Sequence, residues 1–349
     1  VDASPLLRRA PHPPLLRISE DPENLETALI WVRRFTEIEV FTGFLADVHA
    51  EVSGNAAAIH AACMDGLQPG ERGWAAPGEV CRRVLGRSLS FILLHELFHF
   101  YCGHVDELRA RSGDPSRAFC LDERHLGMAA APQGAAEDEA FLTAYYREME
   151  ADNSAVQWMM LAAPWQPPAA EAATPRRGPR PRPAPPMLLR GAARILEFRV
   201  LLVTLWLMIR LMERKRGPAV RERGAEHPLP AARMLAGVAT VHEAFAGIDG
   251  WKINAAGEKV RTLETVHVRR MRRFLRHVFK PVLRAFVTGM APGDDGFQAS
   301  PVWIALDTGN LLLGNEPVTE PGRQVKRVER LRPRMLARLE PFRYFNADG

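Results

Sequence analysis

Apolar residues recur every three or four positions from Leu25 through Ala28, Leu29 and Val32 to Phe35. They follow Asp21-Pro22-Glu23, which reads as an N-cap with proline at the first helical position, so a helix is predicted here. From Thr36 to Val52 the alternation shifts to period two, in Ile38/Val40 and Val48/Ala50/Val52, which predicts strands. Helical spacing returns at Val80 and runs through SLSFILLHELFHFY. Gly, Ala and Pro then dominate Ser112 to Ala140, a predicted loop, before another helical pattern from Glu139 to Leu161. Val200 to Met212 is apolar for 13 residues, with Glu197 and Arg199 in front and Arg210 inside. A membrane span needs about 20 apolar residues, so a buried helix and no transmembrane span are predicted.

A turn at Glu226-His227-Pro228 leads into a short helix containing Arg233 and Leu235. The remaining hundred residues hold the basic segment VHVRRMRRFLRHVFK and an arginine-rich helix from Val325 to Leu339. Between them, VWIALDTGN followed by LLLG predicts a hairpin turn joining two apolar strands. The domain reading is a Pro-rich tail over 1–20, a main domain over 21–250 and a basic, mostly helical region over 251–349. Within the main domain, 164–186 carries nine prolines and four arginines in 23 residues, too many prolines for a helix interior or a central strand.

Composition narrows the class. At 349 residues the chain suits one or two domains, and 47% hydrophobic with 25% charged residues is an ordinary globular content. Cys63, Cys81, Cys102 and Cys120 form no CxxC pair. That excludes a disulfide-dense scaffold and a cysteine zinc ribbon, and favours a reducing compartment. The start, VDASPLLRRAPHPPLLR, lacks both an initiator Met and an apolar stretch of signal length; a cytoplasmic location is expected. The net charge of +5 is carried almost wholly by arginine, with only five lysines.

One motif carries chemistry. In His95-Glu96-Leu97-Phe98-His99, residues i and i+4 share a helical face, so both imidazoles can reach one metal ion. Glu96 lies one step round, where it can take a proton from metal-bound water. The surrounding FILLHELFHFY is apolar on nearly every side, and burying these polar groups costs several kcal/mol unless something compensates them. A catalytic zinc normally takes three protein ligands, and two residues compete for the third place. His104 is five positions past His99, about 500° round a helix, which turns it away; it is retained as the alternative metal ligand. Glu148 is the better placed. It shares a face with Asp152 and Ala155, and Asp152 could hold the free ring N–H of a ligand histidine, while Glu150 faces roughly the other way. Small Ala151 and Ala155 would let the two helices approach closely.

HELFHFYCGH followed by EMEAD resembles the gluzincin metallopeptidases, in which a glutamate is the third ligand, and among them the CAAX-type endopeptidases and the Lit-type phage-exclusion peptidases. EHPLPAAR at 226–233 is similar to the HP-x4-R element of the CAAX-type enzymes, and Asn55-Ala56 to the Asn-Ala at their substrate-binding edge. The resemblance covers about 55–235 and implies an α+β, mainly α fold: a zincin-like core with a small edge sheet and a helical C-terminal region. It implies one Zn2+ per chain on His95, His99 and Glu148, with Asp152 behind them. It also implies hydrolysis of a protein or peptide substrate by a zinc-bound water. Glu96 would be the general base, His227 and Arg233 the oxyanion donors, and Asn55 and Ala56 the substrate contacts. A role in bacterial defence or regulation is expected, with a regulatory partner meeting the 112–140 loop or the Pro/Arg linker.

Two other readings compete. Asp307-Thr308-Gly309 matches aspartic proteases, but a single copy would need a dimer. Arg269, Arg270, Arg272, Arg273, Arg276 and Lys280 could track phosphates, making the chain a nucleic-acid-binding protein with HExxH as a structural metal site. A solvated basic face on an amphipathic helix is the favoured account of that cluster.

Overall fold

The computed structural model describes residues 15–20, 27–32, 35–69, 74–112, 119–121, 135–161, 191–215, 230–247, 251–253, 259–261, 264–289, 307–312 and 315–344. They are mostly helical, with two small sheets. β1 (Leu15–Ser19), β2 (Thr27–Val32), β3 (Phe35–Phe41) and β4 (Phe119–Leu121) form one sheet in the order β1-β3-β2-β4. β3 runs parallel to β1 and antiparallel to β2, which in turn runs antiparallel to β4. β5 (Trp251–Ile253) and β6 (Lys259–Arg261) pair as a small ribbon.

Two early expectations are corrected here. Residues 27–32 form a strand rather than a helix: TALIWV is rich in β-branched and aromatic residues, and pairing on both edges overrides its accidental three-and-four spacing. Leu15–Ser19, within the Pro-rich N-terminal segment, form β1. Conversely, Val48/Ala50/Val52 lie on helix α1 (Thr42–Gly54), not on a strand. Phe44, Val48, Glu51 and Val52 are buried while Ala50 is exposed, which is helical spacing.

The core is built on α3 (Pro77–Tyr101). Pro77 starts it, and Val80, Val84, Phe91, Ile92, Phe98 and His99 are buried along one broad face. It stops at Cys102, because Gly103 takes φ +78° and α4 (His104–Ser112) begins a new direction. α2 (Ala56–Met64), α5 (Ala135–Leu161) and α6 (Gly191–Lys215) pack against α3. Ala151 and Ala155 of α5 are fully buried, small enough for close helix contact.

α6 contains the Val200–Met212 stretch as a core helix. Two of its buried charges are matched: Arg199 donates to the carbonyls of Cys63, Asp65 and His277, and Glu197 receives Arg83 and Arg87. Among the described residues no helix is long and apolar enough to cross a membrane.

α7 (Pro230–Gly247) packs on α5 and α6. α8 (Glu264–Phe274) continues through a π-helical turn, Leu275–Phe279, into α9 (Lys280–Gly289). There Met271, Phe274, Val278 and Phe279 are buried while Arg269, Arg272, Arg273, Arg276 and Lys280 are exposed, a basic solvated face.

The predicted hairpin turn at Asp307 is instead a short helix, α10 (307–312). The buried Asp307 carboxylate accepts from the backbone N–H groups of Val318 and Thr319 and from the Thr319 hydroxyl. It braces the entry to α11 (Glu320–Leu339), whose N-cap is Thr319, so it stands in a structural role and not as a proteolytic aspartate. α11 packs on α5 and α7, and a 3-10 turn, Glu340–Phe342, carries the chain back against α3 and α4. The Pro/Arg segment at 164–186 lies outside the described residues.

Candidate metal centre

α3 and α5 bring three donors together. His95 Nε2 and His99 Nε2 stand 3.1 Å apart, with the rings edge to face. Glu148 Oε2 is 3.6 Å from His95 Nε2, and Glu148 Oε1 is 3.4 Å from His99 Nε2. The three side chains are 1–3% exposed. Both Glu148 carboxylate oxygens are buried, and among the described residues neither accepts a hydrogen bond. An ionised carboxylate left so is costly, and a cation held jointly with the two imidazoles satisfies it. These donors could hold one metal ion.

Behind His95 stands a carboxylate. Asp152 Oδ1 lies 2.9 Å from His95 Nδ1. The Arg233 guanidinium grips Asp152 bidentately, Nε to Oδ2 at 2.7 Å and Nη2 to Oδ1 at 2.9 Å. Asp152 sits one helical turn after Glu148 on α5, and Arg233 enters from the first turn of α7. Sequence reasoning assigned Arg233 to an oxyanion; the structure places it on Asp152, with Nη2 still 3.8 Å from Glu148 Oε2.

Behind His99 the arrangement is longer. His99 Nδ1 is hydrogen-bonded to His104 Nδ1 at 2.9 Å, and His104 Nε2 to Glu150 Oε2 at 2.9 Å. Glu150 Oε1 accepts from the Tyr146 hydroxyl at 2.9 Å and from Arg343. His104 was expected to point away from His99 because the helix was extrapolated through it. The break at Gly103 returns it to the far side of the His99 ring, opposite Glu148, where the two imidazoles meet Nδ1 to Nδ1. Glu150 and Arg343 were not anticipated from sequence. The one local cue was a glycine directly before a histidine, the mark of a helix that ends and turns.

A second group of potential donors, Cys102, His104 and Glu150, lies beside the first. Both His104 nitrogens are already bonded and Glu150 already carries a guanidinium, so these residues form a hydrogen-bonded network.

The electrostatics separate His95 from His99. Burial alone would lower the His95 pKa, but Asp152, Glu148 and Glu96 outweigh it and raise it to about 9. His99 is held well below the ordinary range by burial and by the neighbouring His95 and His104. Burial also lowers His104, against the pull of Glu150. Burial acts to raise both Asp152 and Glu150, yet Arg233 and His95 depress the first, and His104 and Arg343 the second.

Of the other candidates, Glu96 is buried beside His95 on α3. Asn55 sits at the α1–α2 junction, where its amide donates to the Glu51 carbonyl and to Glu51 Oε1, and Ala56 opens α2. His227 lies outside the described residues. Comparison with protein-family models, with curated proteins and with solved structures finds no match for this chain.

Proposed function

We propose that the chain is a zinc-dependent endopeptidase of the gluzincin kind, with a zincin-like core, acting on a protein substrate. The observation that carries this reading is the buried Glu148 carboxylate, unbonded at both oxygens and facing two imidazole nitrogens. Zinc–ligand distances of about 2.0–2.2 Å in tetrahedral geometry give donor–donor edges of about 3.3–3.6 Å. Here the two imidazole nitrogens stand 3.1 Å apart, and different oxygens of the one carboxylate lie 3.6 Å from His95 and 3.4 Å from His99, close enough for all three side chains to share one ion. Two histidines and one carboxylate are also the donor set of catalytic zinc, leaving a fourth position open.

A bound zinc ion would supply Lewis acidity and lower the pKa of a water towards about 7. Glu96 accepts the proton from the attacking water and returns it to the leaving amine nitrogen. Asp152 fixes the His95 ring, and Arg233 keeps Asp152 ionised and in place. His227 remains the candidate for stabilising the oxyanion.

The near-complete burial of the donors favours a second reading, a structural ion that pins α3 to α5. Glu96→Gln separates the two. Zinc-loaded wild type incubated with a denatured protein library should generate new peptide termini, read by mass spectrometry. Glu96→Gln should keep its zinc and generate none. Equal cleavage by both proteins would refute Glu96 as the base. No cleavage by either, with unfolding on chelation, would favour the structural ion.

A further inference from the structure

We propose that Glu150 and Arg343 are positioning residues of the metal centre, so that the segment Glu340–Tyr344 helps set the centre's affinity for its ion. The inference rests on the metal reading above. It begins from hydrogen-bond direction. A neutral His99 that presents Nε2 to an ion carries its proton on Nδ1, so Nδ1–H donates to His104 Nδ1. His104 must then accept at Nδ1 and donate from Nε2, and Glu150 Oε2 is there to receive it. The other Glu150 oxygen accepts from the Tyr146 hydroxyl and from Arg343, both donors. Only this order satisfies every group, and it ends on a guanidinium.

Arg343 is held in place by its surroundings. Gly103 has room for no side chain: a Cβ there would come within 2.6 Å of the Phe342 backbone. The Tyr344 N–H donates to the Tyr101 carbonyl at 3.0 Å, its ring stacks on Phe100, and its hydroxyl meets Asp106 at 2.5 Å. The glycine that turns His104 back onto His99 is thus the one against which the Arg343 segment lies. Arg343 itself is buried, with its Nη2 on Glu150.

Arg338 provides an internal control. It also reaches back from the same region to a buried carboxylate, Glu107, which Arg147 shares. That bridge ties α11 to α4 and does not involve Glu150 or His104. The test is zinc affinity, measured by competition with a chromophoric chelator on the full chain, for wild type, Glu150→Gln, Arg343→Ala, Arg343→Lys and Arg338→Ala.

Glu150→Gln and Arg343→Ala should bind zinc at least about tenfold more weakly, as loss of a partner behind a ligand histidine does. Arg343→Lys should recover part of the loss, and Arg338→Ala should stay within about twofold of wild type. Unchanged affinity in Glu150→Gln, or equal losses in Arg343→Ala and Arg338→Ala, would overturn the proposal while leaving the metal reading intact. Should Arg343→Ala fail to fold by circular dichroism, Glu150→Gln decides, since it keeps the Tyr344 and Arg338 contacts. Wild type that takes up no zinc would instead remove the metal reading and this inference with it.

Discussion

The two candidate ligand histidines, His95 and His99, share a helix and a face, yet they are supported in different ways. His95 meets its carboxylate directly, and Arg233 closes the arm from the next helix but one. His99 reaches a carboxylate only through a second imidazole, and the guanidinium that closes this arm lies 193 positions beyond Glu150. Both arms end the same way, on a carboxylate held by arginine, although Asp152 is buried and Glu150 only partly so. The first is made within the helical core. The second enlists a segment that, by chain order, stands furthest from the motif.

The difference has an electrostatic consequence. Carboxylates in contact outweigh burial and raise His95 to about 9, whereas burial, with only imidazoles in contact, holds His99 well below the ordinary range. Of the two, His95 is therefore the imidazole expected to carry the extra proton near neutral pH when no metal is bound, which puts a donor at His95 Nε2 facing His99 Nε2 across 3.1 Å. A metal ion must displace that proton.

The largest effect is expected in the shorter arm. Asp152→Asn removes the charge that buried Arg233 grips bidentately and replaces the carboxylate beside His95 with a neutral acceptor. It should cost about 3–5 kcal/mol in chemical denaturation and about 10–100-fold in zinc affinity. A loss no greater than that of Glu150→Gln would show the arms to be equivalent. Gly103→Ala, at the junction of the longer arm, adds a strained φ and a clash with Phe342. It should destabilise by about 2 kcal/mol or more and weaken zinc binding together with Arg343→Ala. Gly54→Ala meets nothing within 4 Å and should lie within about 0.5 kcal/mol of wild type.

The pH dependence sharpens the contrast. The His95 pKa is raised in the fold, so its stabilisation of the metal-free chain is present below pH 6.5 and is lost as pH climbs through about 9. Zinc affinity should run the opposite way, rising up to about tenfold per pH unit and levelling above about pH 9. Calorimetry in buffers of different ionisation enthalpy should find about one proton released per ion at pH 7.5. A flat profile would show that His95 is not the protonated ligand.

What could be read from the sequence follows the same division. His95, His99, Glu148 and Asp152 are legible because their i, i+4 spacings lie inside unbroken helices. His104 was misplaced because a positive φ at Gly103 resets the direction of the chain, which no helical angle can carry across. Glu150 was seen as facing away, and it does; what it faces arrives from Arg343, a contact without local signature. Arg233 was picked out, but its role depends on whether its fork finds a substrate or Asp152, and only the packing of α7 on α5 decides that. In the fold, ALIWV and VHAEV each fit two periods, and strand pairing for the one and burial of Phe44, Val48 and Val52 for the other chose between them.

The central claim is that Glu148 completes a metal site with His95 and His99. Elemental mass spectrometry of chain purified without added metal, wild type beside Glu148→Ala, tests it most directly. The account predicts about one zinc per wild-type chain and a large loss in the variant. Full zinc in both proteins, or none in either after dialysis against zinc, would contradict it.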